Sequence, residues 1–180
     1  NIPVSMIAPS HGLIWRKNVM QIVEQYAGWA KQAPKPAVVI VYETMWKSTE
    51  KMARKIAEGI ADSGVAVKLY NAAESDRTEI IADMLEAKGF LFGSSTHDND
   101  MLPNVAGFLE LVKGFKPKNR LVSAFGSYGW AGGAVKEMEA VIREAGMEIT
   151  LPSISFKFVP DTTEYQKCYA FGRSFAELIK

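Results

Sequence analysis

The chain has 180 residues, of which 48% are hydrophobic and 23% are charged, and its net charge at pH 7 is +1. These values are ordinary for a globular protein with a sizeable core, and without a basic run they give no electrostatic case for binding nucleic acid. No apolar run reaches the roughly 18 residues of a membrane span, and a single cysteine excludes an internal disulfide bond, so we expect a cytoplasmic protein without membrane contact.

The first 33 residues differ in pattern from the rest of the sequence. Residues 4–8 predict a short strand, and Asn18 is expected to cap a helix whose apolar residues recur at helical spacing. Two prolines within residues 34–36 then stop this helix, because proline cannot continue it, and these three residues predict a linker. Since the chain begins at Asn1 without an initiator methionine, we expect it to start inside a longer protein.

From residue 37 onward, strand and helix patterns alternate. The predicted strands are residues 37–42, 65–70, 89–92, 120–125 and a fifth run, 149–151 with 154–159, interrupted near Pro152. The predicted helices are residues 50–63, 77–87, 103–113, 133–145 and 161–180. Five strands alternating with five helices indicate an α/β protein with a doubly wound parallel sheet, for which we predict the strand order 2-1-3-4-5.

Three loops follow the first, third and fourth strands, at residues 43–49, 93–102 and 126–132. Ligands of doubly wound sheets bind at the carboxyl ends of the strands, near the switch in strand order. We therefore expect these loops to converge on one ligand site.

The first loop carries the hydroxyl groups of Thr44, Ser48 and Thr49 between a strand and a helix. This arrangement suits a phosphate, because the first N–H groups of a helix are free and the helix dipole favours an anion. The alternative is a strand–helix turn with an ordinary serine or threonine cap.

The other two loops suit a flat ring. Glycines in residues 126–133 allow the backbone to approach a flat ligand closely and to adopt positive φ. Tyr128 and Trp130 offer ring faces for stacking. The alternative is a glycine-rich helix entry whose aromatic residues pack in the core. Thr96 and Asn99 can supply hydrogen bonds to a ring edge, although such composition also describes an exposed loop.

Residues 42–53, with Thr44-Met45-Trp46 and Ser48-Thr49-Glu50, closely resemble the phosphate-loop signature of the flavodiiron proteins, also called A-type flavoproteins. Residues 125–130 are similar to the flavin-edge loop of that family, and Gly93-Ser94-x-Thr96 with Met101-Leu102-Pro103 is similar to its intervening loop. The resemblance implies a flavodoxin-like FMN-binding domain at residues 37–180. The residues that it implies for cofactor binding are Thr44, Met45, Trp46, Lys47, Ser48, Thr49, Ser94, Ser95, Thr96, His97, Asp98, Asn99, Gly126, Ser127, Tyr128, Gly129, Trp130 and Gly132.

Two positions depart from the family pattern. Lys47 stands where flavodoxin-type loops usually have glycine, and Ser95 stands where many relatives have proline. Lys47 either adds a cation near the phosphate or points to solvent. Neither departure removes a phosphate donor.

Residues 6–16 resemble the end of the β-lactamase-like diiron domain of the same family, so residues 1–33 are expected to be the tail of such a domain with a connecting helix. The family residue that matches His11 is an iron ligand. Only two histidines are present and no His-x-Glu-x-Asp-His run exists, whereas a diiron site needs several such ligands. His11 is therefore expected to bind metal only if the upstream diiron domain is present.

The resemblance implies electron transfer through FMN from rubredoxin or a similar donor to a diiron site, where oxygen or nitric oxide is reduced. That site would lie in the diiron domain of the same or a partner subunit of a homo-oligomer, so this chain alone is expected only to carry electrons. Two alternatives remain, a docking module without cofactor and a stand-alone NAD(P)H:quinone reductase with FMN. An ATP-binding P-loop and a dinucleotide fingerprint are excluded because their glycines are missing, and Cys168 lies in an apolar helix stripe unsuited to a nucleophile.

Overall fold

A parallel five-stranded sheet forms the centre of the computed structural model, which describes residues 3–180. The strands are β1 Lys35–Glu43, β2 Ala66–Asn71, β3 Ala87–Ser95, β4 Leu121–Tyr128 and β5 Ile154–Lys157. Their order is β2-β1-β3-β4-β5 with every neighbouring pair parallel, so the predicted fold and strand order are confirmed.

The helices alternate with these strands, as parallel strands require a crossover between them. They are α1 Val19–Ala30, α2 Ser48–Asp62, α3 Arg77–Glu86, α4 Pro103–Phe115, α5 Ala134–Glu144 and α6 Thr162–Ile179. Asp76 and Asp161 cap α3 and α6, because each aspartate side chain accepts a hydrogen bond from a backbone N–H group of the first turn. Pro103 begins α4, where a missing N–H group costs nothing.

Two clusters of buried side chains cover the two faces of the sheet. Alternate residues of β1 and β3 pack with α3, α4 and α5 on one face and with α2 and α6 on the other. On the second face α2 and α6 approach closely, since a Cβ atom on Gly59 would lie 2.2 Å from the carbonyl oxygen of Tyr169. Both faces are buried, which explains the nearly continuous apolar sequence of β1.

The structure corrects three predictions near the start of the chain. Residues 4–8 form no strand but only one antiparallel bridge between Ile7 and Trp15. Asn18 precedes α1 with φ 53° and makes no side-chain cap bond. The linker predicted at residues 34–36 is wrong for Lys35 and Pro36, which belong to β1. Pro36 is accommodated there because the register between β1 and β3 shifts between Lys35 and Val38.

The chain divides into two compact units, one ending at Ala33 and the other running from Pro34 to Lys180. The sheet and helices α2 to α6 lie in the second unit, and α1 lies in the first. No helix in the described part of the chain has the length and apolar character needed to cross a membrane.

Candidate functional site

A cleft of about 410 Å³ opens at the carboxyl edge of the sheet. Segments that follow β1, β3, β4 and β5 contribute to its walls. Parallel strands present their carboxyl ends at one edge, and β1 and β3 are neighbours at the switch in strand order, so the chain topology brings these segments together. The lining residues are Met45, Trp46, Ser48, Ser95, Thr96, Ser127, Tyr128, Gly129, Trp130, Phe158 and Val159.

The amino-terminal end of α2 faces this cleft through Ser48. The cap residue Lys47 has φ 66° and makes no side-chain cap hydrogen bond, since its ammonium group has no acceptor for the N–H groups of the first turn. Free N–H groups and the helix dipole make such a helix start favourable for an anion. The left-handed backbone at Lys47 is the conformation that glycine adopts most easily. This explains the glycine that flavodoxin-type loops usually have at the position of Lys47.

Thr44 carries a buried hydroxyl without a partner. Its Oγ1 atom is inaccessible to solvent and makes no hydrogen bond in the described structure. A buried polar atom without a partner costs free energy, and native proteins rarely leave one unless a ligand or water completes it. Thr44 does not line the cleft, but it lies in the segment between the end of β1 and the start of α2, where an anion would bind.

Three hydroxyl groups form a cluster behind the cleft, which we call the hydroxyl cluster. Thr49 Oγ1 lies 2.9 Å from Ser95 Oγ and 2.9 Å from Ser127 Oγ, and the two serine oxygens are 3.5 Å apart. Thr49 comes from the first turn of α2, Ser95 ends β3 and Ser127 lies near the end of β4. The cluster therefore connects the helix start to two other walls of the cleft.

Exposed aromatic side chains surround the opening of the cleft. Trp46 is 87% exposed and Trp130 is 96% exposed, while Tyr128 is partly buried. A large exposed apolar surface beside a cleft indicates a binding site, and ring faces suit a flat aromatic ligand. These aromatics are not core residues, so the alternative interpretation of Tyr128 and Trp130 as core packing is wrong for Trp130.

Sequence reasoning missed Phe158 and Val159, which it assigned to the last strand. β5 ends at Lys157, and Phe158 turns away with φ 62° while its N–H group donates to the carbonyl of Tyr128 over 2.7 Å. Both side chains are more than half exposed at the cleft. The available signal was their position at the carboxyl end of a strand, the same edge at which the three other loops were expected.

Four of the predicted residues in the second loop lie outside the cleft lining. Ser94 is buried and internally satisfied, because its hydroxyl donates to the Ser95 carbonyl and accepts the N–H of Leu102, both over 2.8 Å. His97 pairs with Asp100 through two backbone hydrogen bonds of 2.9 Å. This closes a turn whose central residues, Asp98 and Asn99, have positive φ.

That turn packs against the start of α5 instead of facing the cleft. A Cβ atom at Gly133 would lie 1.8 Å from the carbonyl oxygen of Asn99, so only glycine fits at this position. His97 Nδ1 lies 3.3 Å from an Asp98 carboxylate oxygen, and both side chains are exposed. His97, Asp98 and Asn99 therefore lie beside the cleft and do not line it.

The glycines of the third loop have a different role from the predicted one. Gly126, Gly129 and Gly132 do not have positive φ, so that expectation is wrong. Gly126 is required because β3 approaches closely, and a Cβ atom there would lie 2.5 Å from the carbonyl oxygen of Ser94. Gly126 and Gly132 do not line the cleft, whereas Gly129 does.

A buried carboxylate that sequence reasoning missed, Glu43, ends β1 at the first position of the predicted first loop. Glu43 accepts hydrogen bonds from the N–H groups of Asn104 and Val105, over 2.9 and 3.2 Å, and from the Asn104 side-chain amide over 2.6 Å. It thus caps α4, whose own cap residue Leu102 makes no side-chain bond. The bond network fixes the end of β1 immediately beside Thr44.

The remaining candidate residues lie away from the cleft. His11 belongs to the first unit and is exposed, and the described residues contain no group of three or more histidine, cysteine, aspartate or glutamate side chains that could hold a metal ion. Cys168 is fully buried in α6, and burial raises the pKa of its thiol to about 12. A neutral buried thiol of this kind is a packing residue.

Comparisons with known proteins agree with this geometry. The flavodoxin family profile matches residues 40–172. The nitric oxide reductase of Moorella thermoacetica is 44% identical over 180 residues, which cover 99% of this chain and 45% of that protein. Rubredoxin oxygen:oxidoreductase from Desulfovibrio gigas has a TM-score of 0.90 at 35% identity, covering 97% of this chain and 44% of that chain.

A second similar structure is the flavodiiron protein from Giardia intestinalis, with a TM-score of 0.89 and 27% identity. The match covers 99% of this chain and 45% of that chain. This chain therefore spans less than half the length of each of these three proteins.

Proposed function

The chain belongs to the flavodoxin family, and from this premise we propose that it is the FMN-binding electron-transfer domain of a flavodiiron oxygen or nitric oxide reductase. The observation that carries the proposal is the convergence on one cleft of an anion-binding helix start and two exposed tryptophans. FMN has the same two parts, a terminal phosphate and a flat tricyclic ring, joined by a polyol chain.

The residues present fit this cofactor. Thr44 offers a buried hydroxyl that lacks an acceptor, Ser48 lines the cleft, and the first turn of α2 offers N–H groups to a phosphate. The cleft volume of about 410 Å³ lies in the range of about 300–1,000 Å³ that is usual for small-molecule sites. Trp46 and Trp130 can cover the ring, and burying their exposed faces would be favourable.

Bound FMN supplies one- and two-electron redox chemistry. The role of the chain itself is to bind the cofactor, to orient it and to shield it from water. The helix start and the hydroxyls of the first loop hold the phosphate, the aromatic residues limit access of water to the ring, and Thr96 and Ser127 set the polarity beside it. No side chain of the cleft has to move a proton.

Residues 1–33 are proposed to be the tail of an upstream diiron domain, in agreement with the greater length of the similar proteins. The electron acceptor would then be a diiron site outside this chain, in the same or a partner subunit of a homo-oligomer, with His11 as one ligand. A rubredoxin or similar protein is the proposed donor, because a similar protein is named rubredoxin oxygen:oxidoreductase. We place the assembly in the cytoplasm.

The test is titration of FMN into the cofactor-free chain. We expect saturable one-to-one binding, quenching of flavin fluorescence by the tryptophans, and reversible reduction of the bound flavin by dithionite. The chain alone should not oxidise NADH with a quinone. Failure to bind added FMN would instead favour a docking module without cofactor, and rapid NADH oxidation would favour a quinone reductase.

A further inference from the structure

We propose that Lys157 stabilises the reduced form of the flavin, because its unpaired ammonium group lies at the wall of the cleft toward which the ring extends. The inference rests on the proposed FMN function. It assigns to the segment that ends β5 a role in setting the reduction potential, separate from the binding of the phosphate.

The segment that ends β5 lies at the opposite end of the cleft from the anion-binding start of α2. That helix follows β1, and β3 and β4 separate β1 from β5 in the sheet. Neighbouring strands are about 4.8 Å apart, so the carboxyl ends of β1 and β5 are separated by about 14 Å. A ligand with its phosphate at α2 therefore extends across β3 and β4, and its ring lies toward β5.

Two cleft-lining neighbours place Lys157 at this wall. Lys157 is the register partner of Tyr128 in the β4–β5 pair, so both side chains project to the same face of the sheet. The Lys157 Nζ atom lies 5.1 Å from the centre of the Phe158 ring. The Phe158 N–H group donates to the Tyr128 carbonyl over 2.7 Å, which ties the end of β5 to β4. Tyr128 and Phe158 both line the cleft.

The charge of Lys157 is not neutralised by a protein partner. The residue is exposed, and beyond its contact with the Phe158 ring it forms no hydrogen bond or ion pair with the residues that the structure describes. None of the described residues that line the cleft carries a charge. A cation held on a ring face beside an otherwise uncharged cleft acts on any charge that develops inside it.

The flavin ring gains negative charge when it is reduced. At a pH above neutral, two electrons and one proton convert the neutral oxidised ring into a hydroquinone anion, while the charge of the phosphate does not change. A cation near the ring therefore stabilises the reduced form more than the oxidised form and raises the reduction potential. A cation near the phosphate would instead stabilise both forms equally.

The experiment is a redox titration of the FMN-loaded chain with dithionite, above neutral pH, in the presence of a dye of known potential. Lys157→Met keeps an unbranched side chain and removes the charge. We expect it to lower the ratio of reduced to oxidised FMN at a fixed potential by about fivefold, or about 20 mV for a two-electron couple. The affinity for oxidised FMN should stay within about twofold, because the oxidised ring is neutral.

Three further measurements separate an effect of charge from an effect of shape. Lys157→Arg keeps the charge and should retain the wild-type potential. Lys157→Glu reverses the charge and should lower the potential further than Lys157→Met does. High salt should reduce the difference between Lys157→Met and wild type, because salt screens a charge in an exposed position.

The matched control is Lys167 in α6. Its Nζ atom lies 6.0 Å from the centre of the Phe156 ring, so β5 takes part in a second cation–ring pair. Phe156 packs against the buried cluster between the sheet and helices α2 and α6, and it does not line the cleft. Lys167→Met should therefore leave the potential unchanged.

Equal potentials in Lys157→Met and wild type would overturn the proposal. Equal shifts in Lys157→Met and Lys157→Arg would show an effect of shape, and an equal shift in Lys167→Met would show an effect of overall charge. Either result would overturn it too. These outcomes refute this inference alone, whereas a wild-type chain that binds no FMN would refute the FMN function itself, and this inference with it.

Discussion

At the level of single residues, the first loop separates two kinds of hydroxyl that look alike in the sequence. Thr49 is fully buried and bonded to two serines, while Thr44 has a buried oxygen that bonds to nothing in the described structure. A protein that keeps an unsatisfied hydroxyl loses stability by doing so. A ligand anion at the neighbouring start of α2 would complete the hydrogen bonding of this hydroxyl.

Thr44→Val should therefore have opposite effects on folding and on binding. In the cofactor-free chain we expect the free energy of unfolding to stay constant or rise by up to about 1 kcal/mol, because the unsatisfied oxygen is removed. FMN binding should weaken by about 1.5–3 kcal/mol, the value of a hydrogen bond to a charged group. Urea denaturation and FMN titration measure the two quantities. Thr44→Ser is the control, and a Thr44→Val variant that binds FMN normally would refute a phosphate role for this hydroxyl.

Trp130 offers a second prediction at this scale. Since the side chain is 96% exposed, Trp130→Ala should change the free energy of unfolding of the free protein by no more than about 0.5 kcal/mol. Loss of ring stacking should weaken FMN binding by about 1–3 kcal/mol and make bound flavin more accessible to iodide quenching.

The matched control is Phe115→Ala, which removes an exposed ring at the end of α4, outside the cleft lining. It should affect neither binding nor quenching. Equal FMN affinity and equal quenching in Trp130→Ala and wild type would remove Trp130 from the site.

At the level of elements, Glu43 links the end of β1 to the start of α4. Its carboxylate accepts two backbone N–H groups and one side-chain amide of that helix. A negative charge at a partly buried helix start gains from the helix dipole as well as from the bonds themselves. The bond network also holds the first loop in position, since Thr44 is the next residue.

Glu43→Gln should consequently lower the free energy of unfolding by about 1–2 kcal/mol, because the shape is kept but the charge and one of the two accepting oxygens are lost. Urea denaturation measures the effect. The control is Glu110→Gln in α4, which removes an exposed carboxylate paired with Lys113. It should lower the free energy of unfolding by no more than about 0.5 kcal/mol. Equal effects of the two substitutions would show that the Glu43 charge does not stabilise α4.

The strands of the sheet were predictable in number and order, but their carboxyl ends were not. β3 continues through Ser94 and Ser95, and β4 continues through Gly126 to Tyr128. Serine and glycine have low strand propensity, so the sequence pattern stops where the apolar run stops. Pairing with neighbours on both sides overrides that propensity, and register between distant strands is not visible in local sequence.

The same limit explains which parts of the site were predictable. Hydroxyl, glycine and aromatic residues after strands indicated the three loops, and eleven residues, nine of them foreseen, line the cleft. His97, Asp98 and Asn99 were assigned to the site because neither polar composition nor the family resemblance tells which side of a loop faces a ligand. Phe158 was missed because its positive φ, which turns it from the strand, has no local signal.

At the level of the whole molecule, the position of the cores predicts that residues 34–180 fold and bind FMN alone. Both buried clusters and the cleft lie within that unit. We expect its free energy of unfolding to stay within about 1 kcal/mol of the full chain, small against the roughly 5–15 kcal/mol of a domain. Its FMN dissociation constant should stay within about twofold, or ~0.4 kcal/mol. Residues 37–180 are the control, since they lose the Lys35–Glu86 ion pair and the pairing of Lys35 with Ala87 and should be less stable. A 34–180 fragment that folds but binds FMN much more weakly would make residues 1–33 part of the flavin domain.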